Sequence, residues 1–155
     1  MSNRIRFTRR SMILAAALLA GITGVLVSSA TAGTAAAPPC GLSTLKGTYL
    51  FAGDGWSISG TGAVPLAFAG SERFDGAGNL KGVSSTNFNG TPSSHNAFTG
   101  TYTVASDCSG TFTIGGTLHF DMYLDPNGDS FVYVQTDAGT VSATTEHRAT
   151  RTSVG

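Results

Sequence analysis

Charge is scarce in this chain, and what there is does not gather into patches. Charged residues make up 12% of the 155 residues, nine basic against nine acidic. Four of the basic ones, Arg4, Arg6, Arg9 and Arg10, sit within the first ten residues. Beyond them only Lys46, Arg73, Lys81, Arg148 and Arg151 face nine acids, a formal charge of −4. There is no basic run and no set of lysines among aromatics, so nucleic acid is excluded as a partner. Helical periodicity is missing after residue 32. Also missing are a CxxC pair, a zinc-type histidine spacing among His95, His119 and His147, and a serine in a nucleophile elbow. No metal centre, no cofactor and no familiar hydrolytic site is expected.

What is present begins with an export signal. The four arginines precede an apolar run from Met12 to Val27, and small residues follow. At 16 residues the run is shorter than the about 20 that a membrane helix needs. The order charged, apolar, small is that of a secretory signal peptide over residues 1–32, cleaved after Ala32. Thr8-Arg9-Arg10-Ser11 resembles a twin-arginine export signal, with Met12 departing from it. Residues 33–39 read as a flexible arm, 40–150 as one domain and 151–155 as a tail. Cys40 follows Ala-Pro-Pro rather than a lipoprotein-type sequence, so no membrane anchor is expected after cleavage. The location implied is extracellular or periplasmic. There the two cysteines, Cys40 and Cys108, are expected to form a disulfide. It would close a loop of roughly 70 residues, stabilising by roughly 4 kcal/mol through loop entropy.

The domain alternates with a period of two. Phe98, Gly100, Tyr102 and Val104 interleave with Thr99, Thr101 and Thr103, as in a half-buried strand. Leu45–Phe51 and Gly110–Ile114 repeat the pattern, and further runs cover Gly62–Phe74, Leu80–Phe88, Thr117–Leu124, Ser130–Gln135 and Gly139–Arg148. Asp75–Asn79, Asp125–Ser130 and Asp137–Gly139 carry the Asp, Asn and Gly of tight turns. Asp125, Asn127 and Asp129 share the spacing of a calcium loop's first ligands. The Gly and Glu that such a loop needs later are replaced by Ser130 and Thr136, which leaves a turn. Eight strands with short links predict an all-β fold, a closed eight-stranded antiparallel up-and-down barrel. Closure abolishes edge strands, and a two-sheet sandwich is the rival.

The strand wording Leu45-Lys46-Gly47-Thr48-Tyr49, Phe74-Asp75-Gly76-Ala77-Gly78-Asn79, Phe98–Val104 and Asp107–Thr111 resembles that of the allene oxide cyclase barrel-like and dirigent-like group. The resemblance spans roughly residues 40–148. It implies a barrel whose lumen holds apolar molecules, in some members with cyclase activity. Avidin and lipocalin barrels are similar in outline alone.

Three functions follow as expectations: a binder of a small apolar molecule, a cyclase-type enzyme, or a solidly packed structural protein without ligand. Homo-oligomerisation is open. Tyr49, Phe68, Tyr102 and Phe112 are expected to line the lumen, and Trp56 to cap its mouth from a glycine-rich connection. Glu72 shares a strand face with Val64, Leu66, Phe68, Gly70 and Phe74, so it is expected to point inward, within reach of Tyr49 or Tyr102. A buried carboxyl there suits proton transfer or ligand anchoring, and Glu72 is the catalytic candidate. The plainer reading is a solvated strand end paired with a base such as Lys81. His119, Asp121 and Tyr123 are expected to face outward, because Leu118, Phe120, Met122 and Leu124 claim the interior. Glu146 and His147 are left undecided between inside and outside.

Overall fold

A computed structural model describes residues 39–152. The expected signal peptide, and the expected arm apart from Pro39, lie outside the described residues. A short 3₁₀ helix, Leu42–Thr44, leads into eight strands: β1 (Lys46–Ser59), β2 (Gly62–Asp75), β3 (Asn79–Phe88), β4 (Thr91–Val104), β5 (Ser109–Ile114), β6 (Leu118–Leu124), β7 (Ser130–Gln135) and β8 (Thr140–Thr150). Each strand pairs antiparallel with the next, and β8 returns to β1, so the sheet is a closed up-and-down barrel.

The links are as tight as their sequences demand. Asp75 Oδ1 accepts the backbone N–H groups of Ala77 and Asn79, while Gly76 and Gly78 take positive φ. In the β6–β7 turn the N–H of Gly128 donates to the Asp125 carbonyl, and Asn127 Oδ1 accepts the N–H of Asp129.

Two strands are longer than the sequence suggests. β1 runs on through Asp54-Gly55-Trp56 to Ser59, so the expected glycine-rich connection is strand, and the turn itself is only Gly60-Thr61. β4 starts at Thr91 rather than Phe98. Its added residues are exposed on both faces and held by backbone pairing to β3, so side-chain alternation could not reveal them. A register shift at Ser84–Thr86 and a positive φ at His95 mark the same place.

An eight-stranded barrel is just wide enough for side chains to fill. Here the inward rows solve the crowding by setting a large side chain opposite a glycine. Phe51 pairs with Gly70, Gly53 with Phe68, Gly82 with Phe98, Leu80 with Gly100, and Gly110 with Met122. The rings lie where a glycine's side chain would be: a Cβ on Gly70 would stand 2.7 Å from the Phe51 ring, and one on Gly53 2.8 Å from the Phe68 ring.

One end of the barrel is closed. From this end up to the level of Thr144, Tyr49, Phe74, Tyr102, Phe112, Phe120, Phe131 and Tyr133 form one buried cluster, with ring centroids 4.4–5.9 Å apart, mostly edge to face. Leu45 and the 3₁₀ turn plug this end, and the Tyr102 hydroxyl donates to the carbonyls of Leu42 and Leu45 at 3.0 Å each. The Cys40–Cys108 disulfide ties the plug to the β4–β5 turn. The other end, where the β1–β2, β3–β4, β5–β6 and β7–β8 hairpins lie, is open: Val64, Leu66, Phe68 and Phe98 face inward there yet are only half-buried.

The pairing of rings with glycines yields a direct test. A Cβ on Gly82 would collide with the Phe98 ring and come within 2.5 Å of the Ser71 carbonyl and 2.9 Å of Glu72 Cβ. Gly82→Ala is expected to lower stability in urea unfolding by about 1–3 kcal/mol. Gly60→Ala, in open space at a hairpin tip, is expected to shift it by less than about 0.5 kcal/mol. Equal effects would contradict the packing argument.

Candidate functional site: a buried carboxyl pair

The inward face of β2 is the one its apolar alternation indicates, and Glu72 lies on it at 2% exposure. It is therefore not a solvated strand end. Its flanking residue Arg73, which pairs in register with Lys81, faces the outside instead. In register Glu72 stands beside Tyr49 on β1 and Gly82 on β3.

A second carboxyl meets it. Glu146 on β8 is fully buried, beside Phe51 on β1 and Phe131 on β7. The two glutamates thus flank β1 from opposite sides. They are close enough to perturb each other's ionisation, although no hydrogen bond of regular geometry joins them. Among the described residues, Glu72 Oε1, both carboxyl oxygens of Glu146 and the hydroxyl of Thr144 are buried without a hydrogen-bond partner. Such atoms are costly in a folded protein unless something satisfies them.

The electrostatics follow from the burial. Desolvation pushes the Glu72 carboxyl up to about 7, with the neighbouring Glu146 carboxyl partly opposing the rise. Desolvation, and then the charge of Glu72, raise Glu146 well above the ordinary carboxylate range. Tyr133, over the same site from β7, is held neutral by burial and by the charges of Glu146 and Glu72. A base that could neutralise the pair is engaged elsewhere. Arg148, two residues beyond Glu146 with its side chain 6% exposed, donates to the Tyr49 hydroxyl and to the carbonyls of Thr44 and Gly128, and lies 3.6 Å from Asp129.

Between this pair and the open end lie three rings, Phe51, Phe68 and Phe98. The centroids of Phe68 and Phe98 are 6.4 and 6.3 Å from that of Phe51, looser spacings than in the closed end. The Phe98 ring covers Gly82 beside Glu72, and the Phe68 ring covers Gly53 beside Thr144.

The other expected site residues scatter. Tyr49, Tyr102 and Phe112 do face the interior, but they belong to the closed end. The hydroxyls of Tyr49 and Tyr102 turn to backbone carbonyls rather than to Glu72. Trp56 is displaced from its expected place over the mouth. At 49% exposure it lies on the outer wall, between Pro65 and Val141, because the strand continues through it and its parity points out. His119, Asp121 and Tyr123 face outward, as apolar burial on β6 dictates. His119 Nδ1 is 2.7 Å from Asp137, which also accepts the His119 backbone N–H, an arrangement that fastens β6 to the β7–β8 turn.

Glu146 and His147 are the residues whose side the sequence left open; Glu146 faces inward and His147 outward. On β8 the inward row is Ser142, Thr144, Glu146 and Arg148, while the outward row holds Val141 and Ala143. The hydrophobic signal on this strand is inverted. Its register with β1 carries the information instead, since Phe51 faces inward and pairs with Glu146.

No protein-family model matches this chain, and comparison with curated proteins and with solved structures finds no match either.

Raised folded-state values make the pair a pH-dependent load on stability. Below about pH 4.5 Glu72 is protonated in both folded and unfolded chains, and its burial carries no ionisation penalty. As pH rises the unfolded chain ionises first, so stability falls until the folded carboxyl ionises near pH 7, a loss of about 3 kcal/mol. The exposed Asp75 and Asp107 and the half-buried Asp137 act with the opposite sign and only below about pH 4, and solvent screens them. The melting temperature is therefore expected to fall between pH 5 and pH 8, and Glu146→Gln should flatten that slope and raise stability at pH 8. A melting temperature constant across this range would contradict the burial of the pair.

Proposed function

We propose that this protein is an exported β-barrel that binds a small, largely apolar molecule at its open end. The polar group of that molecule would dock on Glu72, Glu146 and Thr144, and its body would lie against Phe51, Phe68 and Phe98. The observation that carries this reading is the set of buried polar atoms without partners beneath a loosely packed ring layer. A solidly packed structural barrel would gain stability by replacing both glutamates with apolar residues. The disulfide supports export, since such a bond persists in oxidising compartments. Trp56 on the outer wall, and Tyr102 and Phe112 at the closed end, are not part of this site.

A second reading, a cyclase-type enzyme in the manner of the group the strand wording resembles, is favoured by one observation. A carboxyl raised to about 7 beside another carboxyl can hold or release a proton near neutral pH.

The neutral dye N-phenyl-1-naphthylamine tests the first reading. Its fluorescence should rise saturably on addition of the protein, with a dissociation constant of the order of 10 μM. Phe68→Ala should weaken binding about tenfold. Trp56→Ala, on the outer wall, should leave it unchanged. Absence of saturable binding, or loss on Trp56→Ala alone, would contradict an interior site.

A further inference from the structure

We infer that the polar group recognised by the Glu72–Glu146 pair is a cation, a protonated amine on an aromatic or aliphatic body. This rests on the open-end site proposed above and adds the ligand's charge to it. The argument is one of complementarity. Three of the four unpartnered buried atoms are carboxyl oxygens, which when ionised can only accept hydrogen bonds. The fourth, the Thr144 hydroxyl, can accept as well as donate. With one proton kept on the pair, the ionised partner still only accepts, so a ligand that satisfies it brings N–H or O–H donors, and an ammonium group brings three.

Charge points the same way. The groups around the pair are Tyr49 from β1, Tyr133 from β7, and Thr144 and Arg148 from β8. Arg148, the one cation among them, is committed to Tyr49, Thr44 and Gly128 on the closed-end side. The pair thus has no countercharge within the described residues. A buried anion without a countercharge is expensive, and a ligand cation would supply the missing partner. The wall beside it is aromatic, with Phe51, Phe68 and Phe98 presenting ring surface that attracts a desolvated cation.

Two probes of nearly equal shape test this, 2-phenylethylamine and 2-phenylethanol, titrated into the purified protein at pH 8 by calorimetry. The amine should bind at least about tenfold more tightly than the alcohol. Glu72→Gln, which removes the carboxylate that is ionised at pH 8, should reduce that preference to less than about twofold, and the double variant Glu72→Gln/Glu146→Gln gives the same comparison should Glu72→Gln fail to fold. If the alcohol binds as tightly as the amine, the cation inference is overturned while the open-end site stands. If neither binds at millimolar concentration, both readings fall.

Discussion

The room inside an eight-stranded barrel governs this molecule. A ring can point inward only where the strand beside it gives up its side chain, and the pairs Phe51–Gly70, Phe68–Gly53 and Phe98–Gly82 are that concession made three times around one level. The same rule fixes register, because sliding β2 by one residue against β1 would set Phe68 against a side chain and turn Glu72 outward. It also separates the two ends. Below the glycines the rings of Tyr49, Phe74, Phe112 and Phe131 fill the lumen edge to face. Above them the three phenylalanines stand further apart, and the carboxyl pair lies at the boundary.

That boundary is where folding and chemistry oppose each other. The closed end satisfies its polar groups locally: Arg148 and the tyrosine hydroxyls end on the carbonyls of Thr44, Gly128, Leu42 and Leu45. One level higher on β8, Glu146 has no such partner, though it follows the same parity and lies deeper than Arg148. Two carboxyls buried together cannot both ionise without large cost, so a proton remains on the pair through mildly acidic and neutral conditions. Polar groups retained without partners at such cost, in an interior lined mostly by rings, are the kind of feature that function, rather than stability, accounts for.

Much of this was legible in the residues, and the failures have physical causes. β2 could be read correctly because Val64, Leu66, Phe68 and Phe74 alternate with alanines, which left Glu72 no face but the inner one. β6 was readable for the same reason. Trp56 was misplaced because glycines at 53 and 55 look like a loop when taken alone. In the barrel they are the small partners of Phe68 and Leu66 on the facing strand. β8 was unreadable because its inward row is the more polar one. Only the closure of β8 onto β1, a contact between residues almost a hundred positions apart, sets Glu146 next to Glu72. No local pattern encodes such a pairing.

The central claim is that two glutamates share the barrel interior and keep a proton there when exposed carboxyls have lost theirs. Infrared difference spectroscopy between the protein and its Glu72→Gln/Glu146→Gln variant at pH 6 addresses it directly. The account predicts the carbonyl stretch of a protonated carboxylic acid in the unmodified protein and its absence from the variant. A spectrum showing only ionised carboxylates at that pH would contradict it.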